Sequence, residues 1–417
     1  MAATSSKPRI LLLIPNLGLG GAQRVFRDQA QALAEPFEVT ECVFNLDQAH
    51  DYHTTNQLVS LDVAGGGSSV QKLRNFAARC SKLRDIKRRQ RIAVSISHLE
   101  GADYANVLSG AGEKRILCIH GSKMHDQNIR GIVGWIRRYV LIPLLYRRAN
   151  HIVTVSRGIR EELVQQLGLP RAKVSVINNF FDVEGVQERA QEPLQEPYAR
   201  MLDAFPVLVT AGRFAPEKNL LPLLEIFAQL RQKVARCKLL LVGHGEMYDA
   251  LLARSTELGL RTHVPEQAPE EAFEADVLFA GFQTNPYKFV ARSSVFVLPS
   301  RNEGFPMAMG EAMICGTVVA AADCPTGPRE ILAPDSDVPV GSIRMAEWTN
   351  TGVLLPLLNQ PESVSDDQKV WVETLAELLN NSDKRTQLAV AAQHRMQDFT
   401  RDRIFDQWKS LLRTLLT

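Results

Sequence analysis

At 417 residues the chain exceeds the size one hydrophobic core usually organises, so two domains are expected, with a single large one as the alternative. Hydrophobic residues at 45% and charged residues at 23% exclude a disordered chain, and a formal charge of +2 excludes a global drive toward nucleic acid. The six cysteines, Cys42, Cys80, Cys118, Cys237, Cys315 and Cys324, show neither C-x-x-C nor finger-like spacing, which predicts buried free thiols. No run approaches the ~20 apolar residues that cross a bilayer. The first apolar run reads as a strand and not as a signal peptide, so the expected location is the cytoplasm.

Residues 9–14 (RILLLI) form the continuous apolar run of a buried parallel strand, followed by a glycine-rich turn and a helix from Ala22 to about Leu33. Within that turn Gly18, Gly20 and Gly21 permit a close backbone approach to an anion at the helix start. They suit a plain strand-to-helix turn equally well. The turn lacks the Gly-Lys-Ser/Thr ending of an ATP-binding loop and is an imperfect dinucleotide fingerprint. Further strands are predicted at 37–44, 92–97, 115–119, 151–155 and 174–177, which makes the first half doubly wound. Residues 72–91 are strongly basic, and 130–148 interleave arginines with Trp135, Tyr139 and Tyr146. Such segments suit an anionic membrane surface or an acceptor diphosphate; alternatively they are a solvated face and a stretch packed on the sheet and interrupted by Pro143. His120 follows a strand and precedes glycine, where its ring can donate to a sugar hydroxyl or a phosphate, or satisfy local backbone groups. Lys123, His125 and Asp126 nearby show no metal-ligand spacing.

Residues 183–206 are rich in Glu, Gln and Pro and read as a linker, after which PVLVTAGRF restarts the strand-then-glycine pattern. The second half is read as helices at 219–233, 246–258 and 306–314 and strands at 237–242, 295–299 and 317–320, with tail helices at 368–380 and 401–415. Arg213 and Lys218 lie in one short loop, where two cations can converge on a diphosphate; otherwise Arg213 pairs with Glu217 and Lys218 is a solvated cap residue. Gly243 and His244 end a strand in GHGE, a turn that can lie beside a nucleobase or simply connect strand to helix. Glu303 stands in a loop and Glu311 inside the helix that follows. One can reach sugar hydroxyls and the other vicinal ribose hydroxyls, while the amides of Phe305 and Met307 can meet a diphosphate. Pro306 cannot donate one. The alternative makes Glu303 a cap and Glu311 a surface ion-pair partner. Asp335-Ser336-Asp337 imitates a metal-binding D-x-D but sits in a turn-rich stretch, so no required metal is predicted.

Together NLGLGGAQRV, the histidine of IHGS, GRFAPEKN, LLLVGHGE and the E-x7-E of Glu303 and Glu311 closely resemble glycosyltransferase family 4, retaining enzymes of the GT-B type. SHLEGADYAN at 97–106, GFQTNPYKFVARSSVFVLPSRNEGFP at 281–306 and DCPTGPREIL at 323–332 resemble its bacterial polysaccharide and lipid-linked oligosaccharide branch, with Glu100 and Asp103 as departures. The resemblance implies two doubly wound Rossmann-like domains facing across a cleft. They are an acceptor-side domain at 1–182, the linker at 183–206 and a nucleotide-sugar-binding domain at 207–395, with a helix at 396–417 packing back on the first. It implies that Gly20 and Gly21 approach the donor phosphate, His120 and Glu303 the donor sugar, Arg213 and Lys218 the diphosphate, and Glu311 the ribose. Implied too are a nucleotide-sugar donor, often a UDP-N-acetylhexosamine, retention at the anomeric carbon, no required cofactor or catalytic metal, and a saccharide acceptor, in this branch polyprenyl-diphosphate-linked. The alternatives are a soluble, protein or small-metabolite acceptor, or a nucleotide-sugar-binding protein without chemistry. Any membrane contact would be peripheral, at the inner face of the cell membrane.

Overall fold

In the computed structural model, residues 7–18, 20–46, 53–124, 131–265, 267, 269–358 and 364–417 are described. The chain divides into two compact units, one running to Phe180 and regained at Asp402–Thr417, the other spanning Phe181–Arg401.

The first unit is built on β1 (Arg9–Ile14), β2 (Glu38–Val43), β3 (Gln57–Ser60), β4 (Val94–His98), β5 (Lys114–Ile119), β6 (His151–Thr154) and β7 (Val174–Val176). They form one parallel sheet in the order β3-β2-β1-β4-β5-β6-β7. Ile10 to Ile14 are wholly buried, because helices cover both faces of the sheet and each side chain of the run meets apolar neighbours. Successive strands step outward from β1 in one direction and from β4 in the other. The order therefore reverses between β1 and β4, and loops on either side of that point diverge and leave a crevice at the strand ends.

The second unit repeats this logic with β8 (Val207–Ala211), β9 (Lys238–Val242), β10 (Thr262–His263), β11 (Val277–Gly281), β12 (Val295–Leu298), β13 (Val318–Ala322), β14 (Glu347–Trp348) and β15 (Val353–Leu355). The order is β10-β11-β9-β8-β12-β13-β15-β14, with only β14 antiparallel to its neighbour among the described strands, and the reversal lies between β8 and β12. Its core runs from the helix Leu220–Leu230 to Trp371 of the helix Val364–Asn380, whose indole N–H donates to the Pro356 carbonyl at 2.9 Å.

Residues 183–206, read as a linker, carry the helices Val183–Ala190 and Tyr198–Ala204 and belong to the second unit, where Val186, Met201 and Leu202 are buried. The chain enters this unit at Phe181 and leaves it at Arg401, with Phe181 bridged to Thr400 and its amide donating to the Phe399 carbonyl at 2.9 Å. The helix Arg401–Leu416 then joins the first unit.

Candidate active site

In the second unit the residues singled out from sequence gather where the strand order reverses. The loop after β8 carries Arg213 and Lys218, and the loop after β12 carries Glu303, so two adjacent strands deliver opposite charges to one place. Lys218 Nζ donates to Glu303 Oε1 at 2.7 Å, and Glu303 is only 9% exposed. Burial works against the Lys218 ammonium, but the adjacent carboxylate outweighs it and raises its pKa. Arg213 instead bonds Glu217 at 3.0 Å in an exposed position, the alternative allowed for it from sequence. Arg213, Phe214, Lys218 and Ser300 line a small cavity at the end of β8, and the Ser300 hydroxyl is buried there without a partner among the described residues.

The helix Met307–Ile314 starts immediately beyond Glu303. Pro306 is its cap and not its first residue. The backbone N–H groups of Phe305 and Met307 donate to nothing among the described residues, so two amides stay available at a helix N-terminus. The Phe305 ring is spent on packing, 5.4 Å from Phe399 and 6.1 Å from Phe181. Glu311 projects from this helix and accepts from the Tyr287 hydroxyl at 3.0 Å, which orients the carboxylate. Behind the loop, Thr326 donates its hydroxyl to the Glu303 carbonyl. Gly327, at φ +96°, lies where a Cβ would stand 2.5 Å from the Pro306 ring. Arg329, bonded to Asp323 at 2.8 and 2.9 Å, braces the same segment. DCPTGPREIL is therefore the scaffold of the Glu303 loop.

The GHGE turn follows β9. Gly243, at φ +144°, approaches the neighbouring backbone so closely that a Cβ would lie 1.9 Å from the Gly212 carbonyl oxygen, which answers its glycine requirement by packing. His244 is exposed and stacks on Tyr248 with centroids 4.7 Å apart. Asp335 and Asp337 are exposed in a turn, as read.

In the first unit, Gly20 caps the helix Gly21–Leu33 with extended backbone. Nothing lies near the position of a Cβ on Gly21, so this glycine leaves open space and is not demanded by contacts. His120 follows β5, with its Nε2 2.8 Å from Nδ1 of His98. These rings and the Cys118 thiol bring their ligand atoms within 4.8 Å of one another. The facing nitrogens are engaged with each other, however, and burial holds the thiol protonated by raising its pKa. His125 and Asp126 lie outside the described residues. Glu100 and Asp103, departures in the sequence, are both buried in polar networks: Glu100 receives Arg137, Lys123 and Tyr104, while Asp103 receives Ser97 at 2.7 Å and Tyr146 at 3.1 Å.

His98, Tyr287, Thr326 and Arg329 stand in strings legible in the sequence but were not singled out, because a lone polar residue beside a strand end carries no periodic signal. What distinguishes them is partnership: His98 faces His120, Tyr287 donates to Glu311, and Thr326 and Arg329 brace the Glu303 loop.

Two Rossmann-like units, each presenting polar groups at its reversal point, make up the architecture of the GT-B type. Residues 19–184 match the model of Glycosyltransferase Family 4 and residues 205–347 that of Glycosyl transferases group 1. An uncharacterized glycosyltransferase of Methanocaldococcus jannaschii is 24% identical over 64% of this chain and 64% of its own length, so the matched stretch spans just under two thirds of that relative. The N-acetylgalactosamine-N,N'-diacetylbacillosaminyl-diphospho-undecaprenol 4-alpha-N-acetylgalactosaminyltransferase of Campylobacter jejuni is 27% identical over 78% of this chain and 83% of its own. The crystal structure of Anabaena HepE in complex with UDP superposes with a TM-score of 0.70 at 18% identity, covering 97% of this chain and all of that one. The apo lipopolysaccharide outer core galactosyltransferase WaaB gives 0.67 at 17% identity, covering 97% and 99%. The chain has the GT-B fold and resembles the family 4 and group 1 glycosyltransferases across both of its units.

Proposed function

We propose that the chain is a retaining glycosyltransferase that moves a hexose or N-acetylhexosamine from a UDP-sugar to a hydroxyl of a saccharide, the growing end of a lipid-linked oligosaccharide or polysaccharide precursor. The observation that carries this reading is the convergence of Lys218, Glu303, Glu311 and the two unbonded amides at the reversal point of the second sheet. Glu311 takes the ribose hydroxyls as a double acceptor, and the amides of Phe305 and Met307 meet the diphosphate. With a diphosphate present, Lys218 gains a second anion beside Glu303, and Glu303 turns toward the sugar hydroxyls. Arg213, exposed and on a short loop, exchanges Glu217 for phosphate. The two cations and the helix start offset the charge left on the departing nucleotide, so the proposal needs no metal or other cofactor. Gly243 and His244 border the base. From the first unit, Gly20 and Gly21 serve the phosphate and His120 the donor sugar.

Similarity to an enzyme named for a diphospho-undecaprenol substrate and to a protein crystallised with UDP supports the acceptor and donor classes. Among the described residues no helix is long and apolar enough to cross a membrane. The site of action in this reading is the cytoplasmic face of the cell membrane, with the chain held peripherally by the helical segment Gly131–Tyr146. Purified protein, given UDP-glucose, UDP-galactose, their N-acetylhexosamine counterparts and GDP-mannose, with polyprenyl-diphosphate-linked and free saccharides, tests it by nucleotide release. Acceptor-dependent release of UDP is expected. Binding without turnover would instead favour a nucleotide-sugar-binding protein.

A further inference from the structure

His98 ends β4 and pairs in register with Cys118 of β5, so both side chains leave the same face of the sheet, and His120 follows two residues beyond Cys118. Nδ1 of His98 and Nε2 of His120 are 2.8 Å apart. The ring centroids are 5.0 Å apart with planes inclined by 25°. That separation exceeds the N···N distance by about one ring diameter, so the rings meet edge to edge along the line of a linear N–H···N bond and are not stacked face to face. His98 is wholly buried, and its Nε2 has no partner among the described residues. Phe26, from the helix that follows the glycine-rich turn, closes on the His98 ring at 89° with centroids 5.4 Å apart. Among the described residues, the one side-chain hydrogen-bond partner of His98 is His120.

Burial keeps both rings neutral, moving His98 well below the ordinary histidine value and His120 down to about 4, with the Lys123 charge adding to the effect on His120. A single proton therefore occupies the N···N line. If His120 supplied it, His98 would carry its own proton on Nε2, a buried donor with nothing to receive it. If His98 supplies it, Nε2 is a bare lone pair, which costs less to leave unmatched than an orphaned N–H. We propose that His98 is a positioning residue that holds His120 as the Nδ1–H tautomer, so that the ring offers a hydrogen-bond donor, on its one remaining nitrogen, to an oxygen of the sugar donor. This rests on the reading of His120 as a donor contact. A positioning residue at the end of a neighbouring strand fixes both the ring plane and the direction of its N–H, which a lone imidazole at a loop start would leave free.

Nitrogen-15 labelling of histidine in the full chain reads the tautomer directly, with the His120 signals assigned by their loss in His120→Gln. At neutral pH the wild type should show His120 protonated at Nδ1 and bare at Nε2. His98→Phe keeps a ring against Phe26 but offers no nitrogen. There His120 should shift toward the Nε2–H form, and kcat should fall about tenfold with the donor KM changed far less. His98→Asn, whose amide can stand where Nδ1 stood, should restore both the spectrum and most of kcat. His120 in the Nε2–H form in the wild type, or an unchanged His120 spectrum in His98→Phe, would overturn the assignment without needing any activity measurement. Undiminished turnover in His120→Gln overturns the donor-contact reading, and with it the catalytic consequence assigned to His98.

Discussion

Lys218 and Glu303 neutralise one another across 2.7 Å in a poorly exposed setting, so removing either one leaves a charge that the site was built to match. Lys218→Ala should lower kcat/KM by about 10²–10³, on the order of 3–4 kcal/mol of transition-state stabilisation, and should also cost stability because Glu303 is stranded. Arg213→Ala should lose activity alone, since its exposed pair with Glu217 contributes little to the fold. Steady-state rates set beside urea unfolding separate the two. Glu303→Gln should reduce turnover while free UDP still binds, and Glu311→Ala should weaken UDP itself, as titration calorimetry would report; the reverse pattern would exchange their roles. Asp103 supplies a test of a different kind. Burial raises its carboxyl to about 7 against the opposing pull of Lys123 and its hydrogen bonds, so the folded state holds a proton that the unfolded state releases near pH 4. A raised folded pKa contributes stability that is full below the unfolded value and lost as pH rises toward the folded one. Unfolding free energy should therefore fall between about pH 4 and 7 by as much as a few kcal/mol, at ~1.4 kcal/mol per pH unit. Asp103→Asn should flatten that slope in denaturant titrations at a series of pH values.

The element most changed by seeing the structure is the segment 131–146. Pro143 does not interrupt it. A π-helical turn at Arg137–Leu141 joins the helices Gly131–Ile136 and Ile142–Tyr146, and its wider hydrogen bonding accommodates the missing proline N–H. The packing alternative holds for Ile142, Leu145 and Tyr146, which are buried, whereas Ile132, Val133 and Trp135 are 80, 79 and 59% exposed. Arg137 is tied to Glu100, and Arg147 and Arg148 are exposed at the far end. The basic run 72–91, by contrast, is partly structural. Lys87 is buried against Glu113 at 2.7 Å, and Arg79, Lys82 and Arg84 donate to backbone carbonyls. The proposed membrane attachment should therefore depend on the exposed end of the 131–146 segment. Replacing Ile132, Val133 and Trp135 by Ser should abolish flotation with anionic liposomes while unfolding stays unchanged, and Arg147→Gln with Arg148→Gln should make residual binding less sensitive to salt. Binding that survives the triple replacement would place the contact elsewhere.

Across the whole molecule, most buried parallel strands are legible because their apolar runs are continuous: β1, β4, β5, β9, β12 and β13 lie where the sequence places them, whereas β11 and β15, also buried and parallel, are absent from the sequence reading. β3 and β10 were missed because one is a half-exposed edge strand and the other has two residues. The helix Ser382–Met396 was missed because it buries only Leu388, Ala389, Ala392 and Met396, too thin a stripe for periodicity to register. For the candidate site, residues could be singled out in the sequence but their partnerships could not. A glycine or glutamate can be noticed in a string, but the Lys218–Glu303 contact spans 85 residues and the Tyr287–Glu311 contact 24, and only strand order brings them together. In the proposed function that order turns a set of loops into a transferase site, and transfer is therefore the property to measure. Incubation with a UDP-α-sugar and a saccharide acceptor, followed by proton NMR of the product and quantitation of UDP, tests it most directly. The account predicts one UDP released per new glycosidic bond and an α-configured product. Release of UDP without a new bond, or a β-configured product, would contradict it.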